Sequence, residues 1–311
     1  MAGGLGVAGA AGLAYATLVE PRWYALRHVR LPVLRPAAAC DLTVLHISDL
    51  HLWPGRTSVA RFLAECAATD PDVVVLTGDV LGHADVVDEA VGLLSYLGEG
   101  RTAIGVLGSN DRYGPVGKNP LRYLSPSRDV DAEPRGAPLD AAGLVDGLSQ
   151  AGWHMVDNRA ARVDTPAGVV DVRGVGDAHM HADALDSVSW APPGADIALA
   201  MGVTHAPYTR VLDRMDRAAL DLALAGHTHG GQVRVPGLGA LVANCDLPLS
   251  QARGLSGYGA GLSLHVSAGL GQSWYAPIRF ACRPEATLLH LTGELLSPRP
   301  PTGTLSVRHG M

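Results

Sequence analysis

The chain has almost no lysine. Of its 24 basic residues only Lys118 is a lysine, and the rest are arginines. There is no excess of positive charge either, because 30 acidic residues leave a net charge of -6. A nucleic-acid binder works by neutralising a run of phosphates, so sequence-specific nucleic-acid binding is not expected. Cysteine is sparse as well. Cys40, Cys66, Cys245 and Cys282 lie far apart with no Cys-x-x-Cys pair, which speaks for separate thiols and against a disulfide frame. The sequence shows no internal repeat.

Charge is absent from Ala2 to Val19, and Arg22, Arg27, Arg30 and Arg35 follow. A membrane span needs roughly 20 apolar residues, and glycines are tolerated in one. Residues 1–20 are therefore read as a hydrophobic anchor, with the arginines favouring a cytoplasmic catalytic domain. Ala14-Tyr15-Ala16 resembles a cleavage site, so export is the alternative, although a positive n-region is lacking. A third arrangement is an apolar helix packed on the domain. Residues 21–40, with Pro21, Pro32 and Pro36, read as a linker.

What the chain has is a series of short apolar runs that each stop at a potential metal ligand. Run 42–47 leads into Ser48-Asp49-Leu50-His51, and run 73–76 into Thr77-Gly78-Asp79. Run 102–107 leads into Gly108-Ser109-Asn110-Asp111, run 197–203 into Thr204-His205, and run 220–225 into Gly226-His227-Thr228-His229. A single Asp after a strand is usually a cap or turn residue. Five such strand ends are harder to assign that way, and imidazole is the commonest protein metal ligand. The candidate ligands are Asp49, His51, Asp79, Asn110, His205, His227 and His229. No cut between them leaves a complete site, so residues 41–296 are read as one domain.

Amphipathic segments at 58–68, 85–97, 139–151 and 208–216 alternate with the apolar runs, which implies a sheet flanked by helices. Runs 159–163 and 169–173 around Thr165-Pro166-Ala167-Gly168 carry a hairpin signal. Later strands are expected at 263–267 and 287–291. Residues 112–138 are irregular and begin at a candidate ligand loop, so they are read as an insertion near the site. Residues 297–311, with Pro298, Pro300 and Pro301, are read as a disordered tail.

In the order Asp-x-His, Gly-Asp, a Gly-Asn-like turn, His and Gly-His-x-His, the chain resembles the calcineurin-like metallophosphoesterase superfamily over residues 41–292. The forms Ser48-Asp49-Leu50-His51-Leu52 and Gly226 to Gln232 are similar to the bacterial branch with an N-terminal membrane segment or signal. The resemblance implies an α/β fold of two packed mixed β-sheets flanked by helices, a four-layer α/β/β/α sandwich. It also implies hydrolysis of phosphomonoesters or phosphodiesters by a hydroxide between two divalent metal ions. Carried over by position, Asp49, His51 and His229 hold one ion, Asn110, His205 and His227 hold the other, and Asp79 bridges them. Nitrogen and oxygen ligands without thiolate suit Mn, Fe or Zn. The substrate implied is a phosphate ester, with lipid and nucleotide compounds both open. Gly269-Leu270-Gly271-Gln272-Ser273 with Arg279 resembles the loop that closes the rim of such sites.

One departure stands out. Where the family has Gly-Asn-His, this chain has Gly108-Ser109-Asn110-Asp111. Without a gap, Ser109 falls on the ligand position. With a shift of one residue, Asn110 becomes the ligand and Asp111 takes the place of the histidine that assists the leaving group. The shifted register is preferred, because an amide oxygen is a better ligand than a hydroxyl, and it makes Asp111 the candidate catalytic acid. Arg112 and Lys118, and beside them Arg56 and Arg122, are candidates for binding substrate phosphate. The same departure keeps open a second reading, a non-catalytic metal-binding module that holds a partner.

Overall fold

Runs of valine, leucine and isoleucine form most strands of the computed structural model, which describes residues 9–117 and 135–293. In chain order the strands are β1 (Ala25–Leu34), β2 (Leu42–Ile47), β3 (Val73–Thr77), β4 (Thr102–Val106) and β5 (His154–Met155). Then come β6 (Arg159–Thr165), β7 (Gly168–Val175), β8 (Leu199–Thr204) and β9 (Leu222–Ala225). A small ribbon of β10 (Arg234–Val235) and β11 (Gly239–Ala240) precedes β12 (Gly254–Tyr258), β13 (Leu262–Val266) and β14 (Glu285–Gly293).

They build two six-stranded mixed sheets, ordered β1-β14-β2-β3-β4-β5 and β12-β13-β9-β8-β7-β6. Strands β2, β3 and β4 run parallel, as do β7, β8, β9 and β13. Side chains alternate across a strand, so Val44, Val75 and Ile104 face Val172, Met201 and Leu224 between the sheets. Leu45, Leu76 and Leu63 pack with Leu94 and Leu148 under the helices Thr57–Ala67, Val87–Gly98 and Ala141–Gln150. Val211, Leu212 and Met215 of the helix Thr209–Arg217 cover the other sheet. In the first of these helices the buried residues Val59, Phe62, Leu63 and Cys66 recur at the spacing of one helical face. The four-layer sandwich is thus the architecture found.

One expectation changes, and a second finds no support among the described residues. The linker read over residues 21–40 contains β1, a ten-residue strand at the sheet edge, paired in parallel with β14. Val29, Leu31 and Val33 point inward while His28 and Arg30 point out, and Pro32 is tolerated because the strand lies at an edge. For residues 1–20, no described helix is long and apolar enough to cross a membrane. Residues 9–14 are α-helical, Tyr15–Val19 form a π-helical turn and Glu20–Arg22 a 3-10 turn. This segment packs on the domain. Ala16 is buried, its carbonyl accepts from Arg279 N at 2.9 Å, and the buried Glu20 accepts from the N–H groups of Ala281 and Cys282.

Residues 118–134, which include Lys118 and Arg122, lie outside the described residues, as do 1–8 and the expected tail at 297–311. The described ends of the irregular insertion close on each other, with Gly114 N donating to Ala137 O at 2.8 Å and Leu139 N to Arg112 O at 2.9 Å.

Candidate metal centre

Parallel strands send their carboxyl ends to the same edge, so the turns after β2, β3, β4, β8 and β9 meet there. Close approach of these turns depends on small residues. A Cβ on Gly108 would collide with the Asp79 carboxylate, and one on Gly226 with Ser48 and Asp49. The turns are also sharply bent. Asp49, His51, Asp79, His227 and His229 all adopt left-handed backbone, with φ between 43° and 69°. Such conformations are disfavoured for residues with a Cβ and gather at functional sites.

Two sets of side chains converge within 4.8 Å: Asp49, His51 and His229, and Asp49, Asp79 and His205. Asp79 Oδ2 stands 3.6 Å from His51 Nε2 and 3.5 Å from His205 Nε2, between the two sets. His227 flanks the second set, with its ring 5.2 Å from that of His205. Asn110 reaches the same carboxylate, donating from its backbone to Asp79 Oδ1 at 2.8 Å and from its amide to Oδ2 at 2.6 Å. The side chain of the departing loop that meets Asp79 is therefore that of Asn110.

Three of the four histidines are oriented by a bond on the far side of the ring. His205 Nδ1 meets the Thr77 carbonyl at 2.6 Å, His229 Nδ1 the Gly271 carbonyl at 3.2 Å, and His227 Nε2 the Asn244 carbonyl at 3.0 Å. In a neutral imidazole a carbonyl partner fixes the tautomer and leaves the opposite nitrogen as a lone-pair donor, as around metal-ligating histidines. The buried His205 Nε2 has no hydrogen-bond partner.

Electrostatics point the same way. Burial pushes the Asp49 carboxyl up to about 6, with the nearby His205 opposing and Asp79 adding to the rise. Burial also resists charge on Asp79 and His205, yet their attraction wins. Asp79 is held well below the usual carboxylate range and His205 well above the usual imidazole value. Burial lowers His51 to about 4, and burial beside other histidines takes His227 and His229 well below their usual value. Three neutral imidazoles, two carboxylates and a histidine charged only by its pairing with Asp79 form a donor set that fits divalent cations, since metal ligands bind in their deprotonated form.

Asp111 does not stand where the sequence reading put it. It is fully buried, and its two oxygens accept four backbone N–H groups, those of Asp79, Val80, Leu81 and Gly108, at 2.7–3.0 Å. Burial and the Asp79 charge push its carboxyl up to about 7, while the backbone donors oppose that rise. A carboxyl group bonded in this way fastens the β3 and β4 turns together, with both oxygens turned to backbone donors. Arg112 places a buried Nε without a hydrogen-bond partner beside Asp157 and Asp177.

Two further residues of the site escaped the sequence reading. Asp177 is buried with Oδ2 unpartnered, its carboxyl raised to about 6 by burial, with His205 opposing. His179 sets its ring 4.5 Å from that of His227 and bonds Tyr208 Oη at 3.0 Å. The signal was present, since Gly176-Asp177 follows β7 as Gly78-Asp79 follows β3.

A profile of the Calcineurin-like phosphoesterase family matches residues 42–231, the span that holds every candidate ligand. The chain belongs to the calcineurin-like phosphoesterase family. Within it, the chain is 28% identical to Phosphodiesterase YaeI of Escherichia coli over 92% of this chain and 94% of that protein. It is 27% identical to the Uncharacterized metallophosphoesterase YkoQ of Bacillus subtilis over 79% and 82%. The crystal structure of Phosphopantetheinyl Hydrolase (PptH) from Mycobacterium tuberculosis aligns over 85% of this chain and 99% of its own, at 16% identity and a TM-score of 0.40.

Proposed function

We propose that this calcineurin-like phosphoesterase is a hydrolase of phosphodiesters or phosphomonoesters that works with two divalent ions. The observation that carries this reading is the convergence of carboxylates and outward-anchored imidazoles from separate strand ends on Asp79. Asp49, His51 and His229 would hold one ion, and Asn110, His205 and His227 the other, with Asp79 shared. Such nitrogen and oxygen donors suit Mn, Fe or Zn. When bound, two ions supply positive charge against the phosphate and acidify water at neutral pH.

The chain's own residues do the rest. The carbonyls of Thr77, Gly271 and Asn244 keep the imidazoles in register. The Asp111 carboxylate keeps Asp79 in place by holding its backbone. Arg112 is the phosphate contact of this reading on the Asp177 side, and Lys118 a second one. A phosphodiester substrate is favoured by the name of the Escherichia coli relative.

The test uses the full chain, because β1 belongs to the sheet. With Mn added, it should hydrolyse p-nitrophenyl phosphate or bis-p-nitrophenyl phosphate, and Asp79→Asn should abolish turnover. Full activity in Asp79→Asn would sink the two-ion reading. Two bound ions without hydrolysis of either ester would favour a metal-binding module.

A further inference from the structure

Beside the metal centre lies a cleft of about 250 Å³, walled on one side by Thr17, Pro21 and Arg22 and on the other by Trp53, Arg56 and Trp274. It borders the His51–His229 side of the centre. Arg56 Nη1 lies 3.4 Å from the His51 carbonyl, and its Nη2 lies 3.4 Å from Gln272, which follows the Gly271 that anchors His229. We propose that this cleft is a subsite for a hydrocarbon-bearing arm of the substrate, an amphiphilic phosphate ester. The inference rests on the phosphoesterase reading and names its substrate class.

Three observations carry it. The first is charge. Two guanidiniums, Arg22 and Arg56, line the cleft and no carboxylate does, which suits an anionic ester. The second is exposed apolar surface. Trp274 is 61% exposed, and its ring lies 4.7 Å from that of Trp53. Across from it the N-terminal segment carries no charge up to Val19. Leu18, next to the cleft-lining Thr17, is exposed, and its carbonyl accepts from Arg22 Nη1. The opposite face of this segment, with Ala16 and Glu20, is the one that docks on the domain.

The third observation separates a hydrocarbon arm from a nucleoside. A base needs hydrogen-bond partners at its edge, and the hydroxyls and amide oxygen that line the cleft each already hold one bond, Ser273 Oγ accepting from Tyr275 N at 3.4 Å. Gln272 Oε1 accepts from Arg56, Ser58 Oγ bonds Tyr24 Oη at 3.2 Å, and Thr17 Oγ1 donates to Leu13 O at 2.8 Å. The cleft thus offers indole and proline surface beside two cations.

The experiment is calorimetric titration of the full chain with methyl phosphate, with decyl phosphate below its micelle-forming concentration, and with adenosine 5′-monophosphate. Methyl phosphate reports the metal centre alone. Each methylene buried is worth about fourfold in affinity, so decyl phosphate should bind at least about 50-fold more tightly than methyl phosphate. It should also bind more tightly than the nucleotide. Trp274→Ala, and separately Leu18→Gln, should cut the decyl preference at least fivefold and leave methyl phosphate within twofold. Both side chains are exposed, so both variants should fold. An equal affinity for decyl and methyl phosphate, a decyl preference unchanged in both variants, or tighter binding of the nucleotide would overturn the subsite. If decyl phosphate binds as stated while no p-nitrophenyl ester is turned over, the hydrolase reading fails and the subsite stands.

Discussion

The carboxylate of Asp111 holds the backbone of Asp79, accepting its N–H at 2.9 Å from a position with no solvent exposure. The shared candidate ligand is thus placed by a residue that does not face the substrate. This arrangement separates two roles that the linear sequence runs together, since both carboxylates follow a strand and a glycine-bearing turn.

Asp111→Asn keeps the volume of the side chain but turns one acceptor into a donor facing N–H groups. The expected loss of stability is roughly 2–4 kcal/mol, because bonds to a buried charge are lost and a donor is left unsatisfied. Denaturant unfolding measures this. With Asp111 acting as a clamp on the β3 and β4 turns, the folded variant should keep the alkaline limb of the wild-type pH–rate profile. Loss of that limb with unchanged stability would restore Asp111 as the acid.

A second buried carboxylate sets an acid limit. Glu285 is bonded by Arg253, with Nε at 2.9 Å from Oε1, and by Arg27, with Nε at 2.6 Å from Oε2. Burial alone would raise this carboxyl, but the two arginines outweigh it and lower it from 4.5 to about 2. A depressed carboxylate contributes stability that is fully present above its unfolded value and lost as pH falls through the folded one. The contribution, about 3 kcal/mol at neutral pH, should therefore vanish between about pH 4.5 and pH 2. Unfolding measured across that window should show the slope in wild type and a weaker slope in Glu285→Gln.

Much of the site was legible in the chain because the ligand types are chemically distinctive and each sits directly after an apolar run. Strand β2 runs Leu42–Ile47, as the hydrophobic run indicated, and the hairpin of β6 and β7 formed around its turn. The direction in which a turn side chain points was not legible. Asp49 and Asp111 both follow strands, and only the packing of the β3 and β4 turns sends Asp111 inward. His179 and Asp177 join the site through the register of β7 on β8, a long-range pairing.

Strand β1 was hidden for a different reason. Its inward residues Val29, Leu31 and Val33 do alternate, but Arg27, Arg30 and Pro32 give the segment the composition of a linker. Leu31 is 2% exposed. Leu31→Ala should cost about 2–5 kcal/mol of stability, as for other buried leucines. A leucine in a true linker would stay within about 0.5 kcal/mol when replaced.

Anomalous diffraction from crystals of the full chain grown with Mn reads the metal centre itself. Two ions are expected, one among Asp49, His51 and His229 and one among Asn110, His205 and His227, with Asp79 touching both. A single ion in crystals of fully active enzyme, or two ions away from Asp79, would contradict the proposed centre.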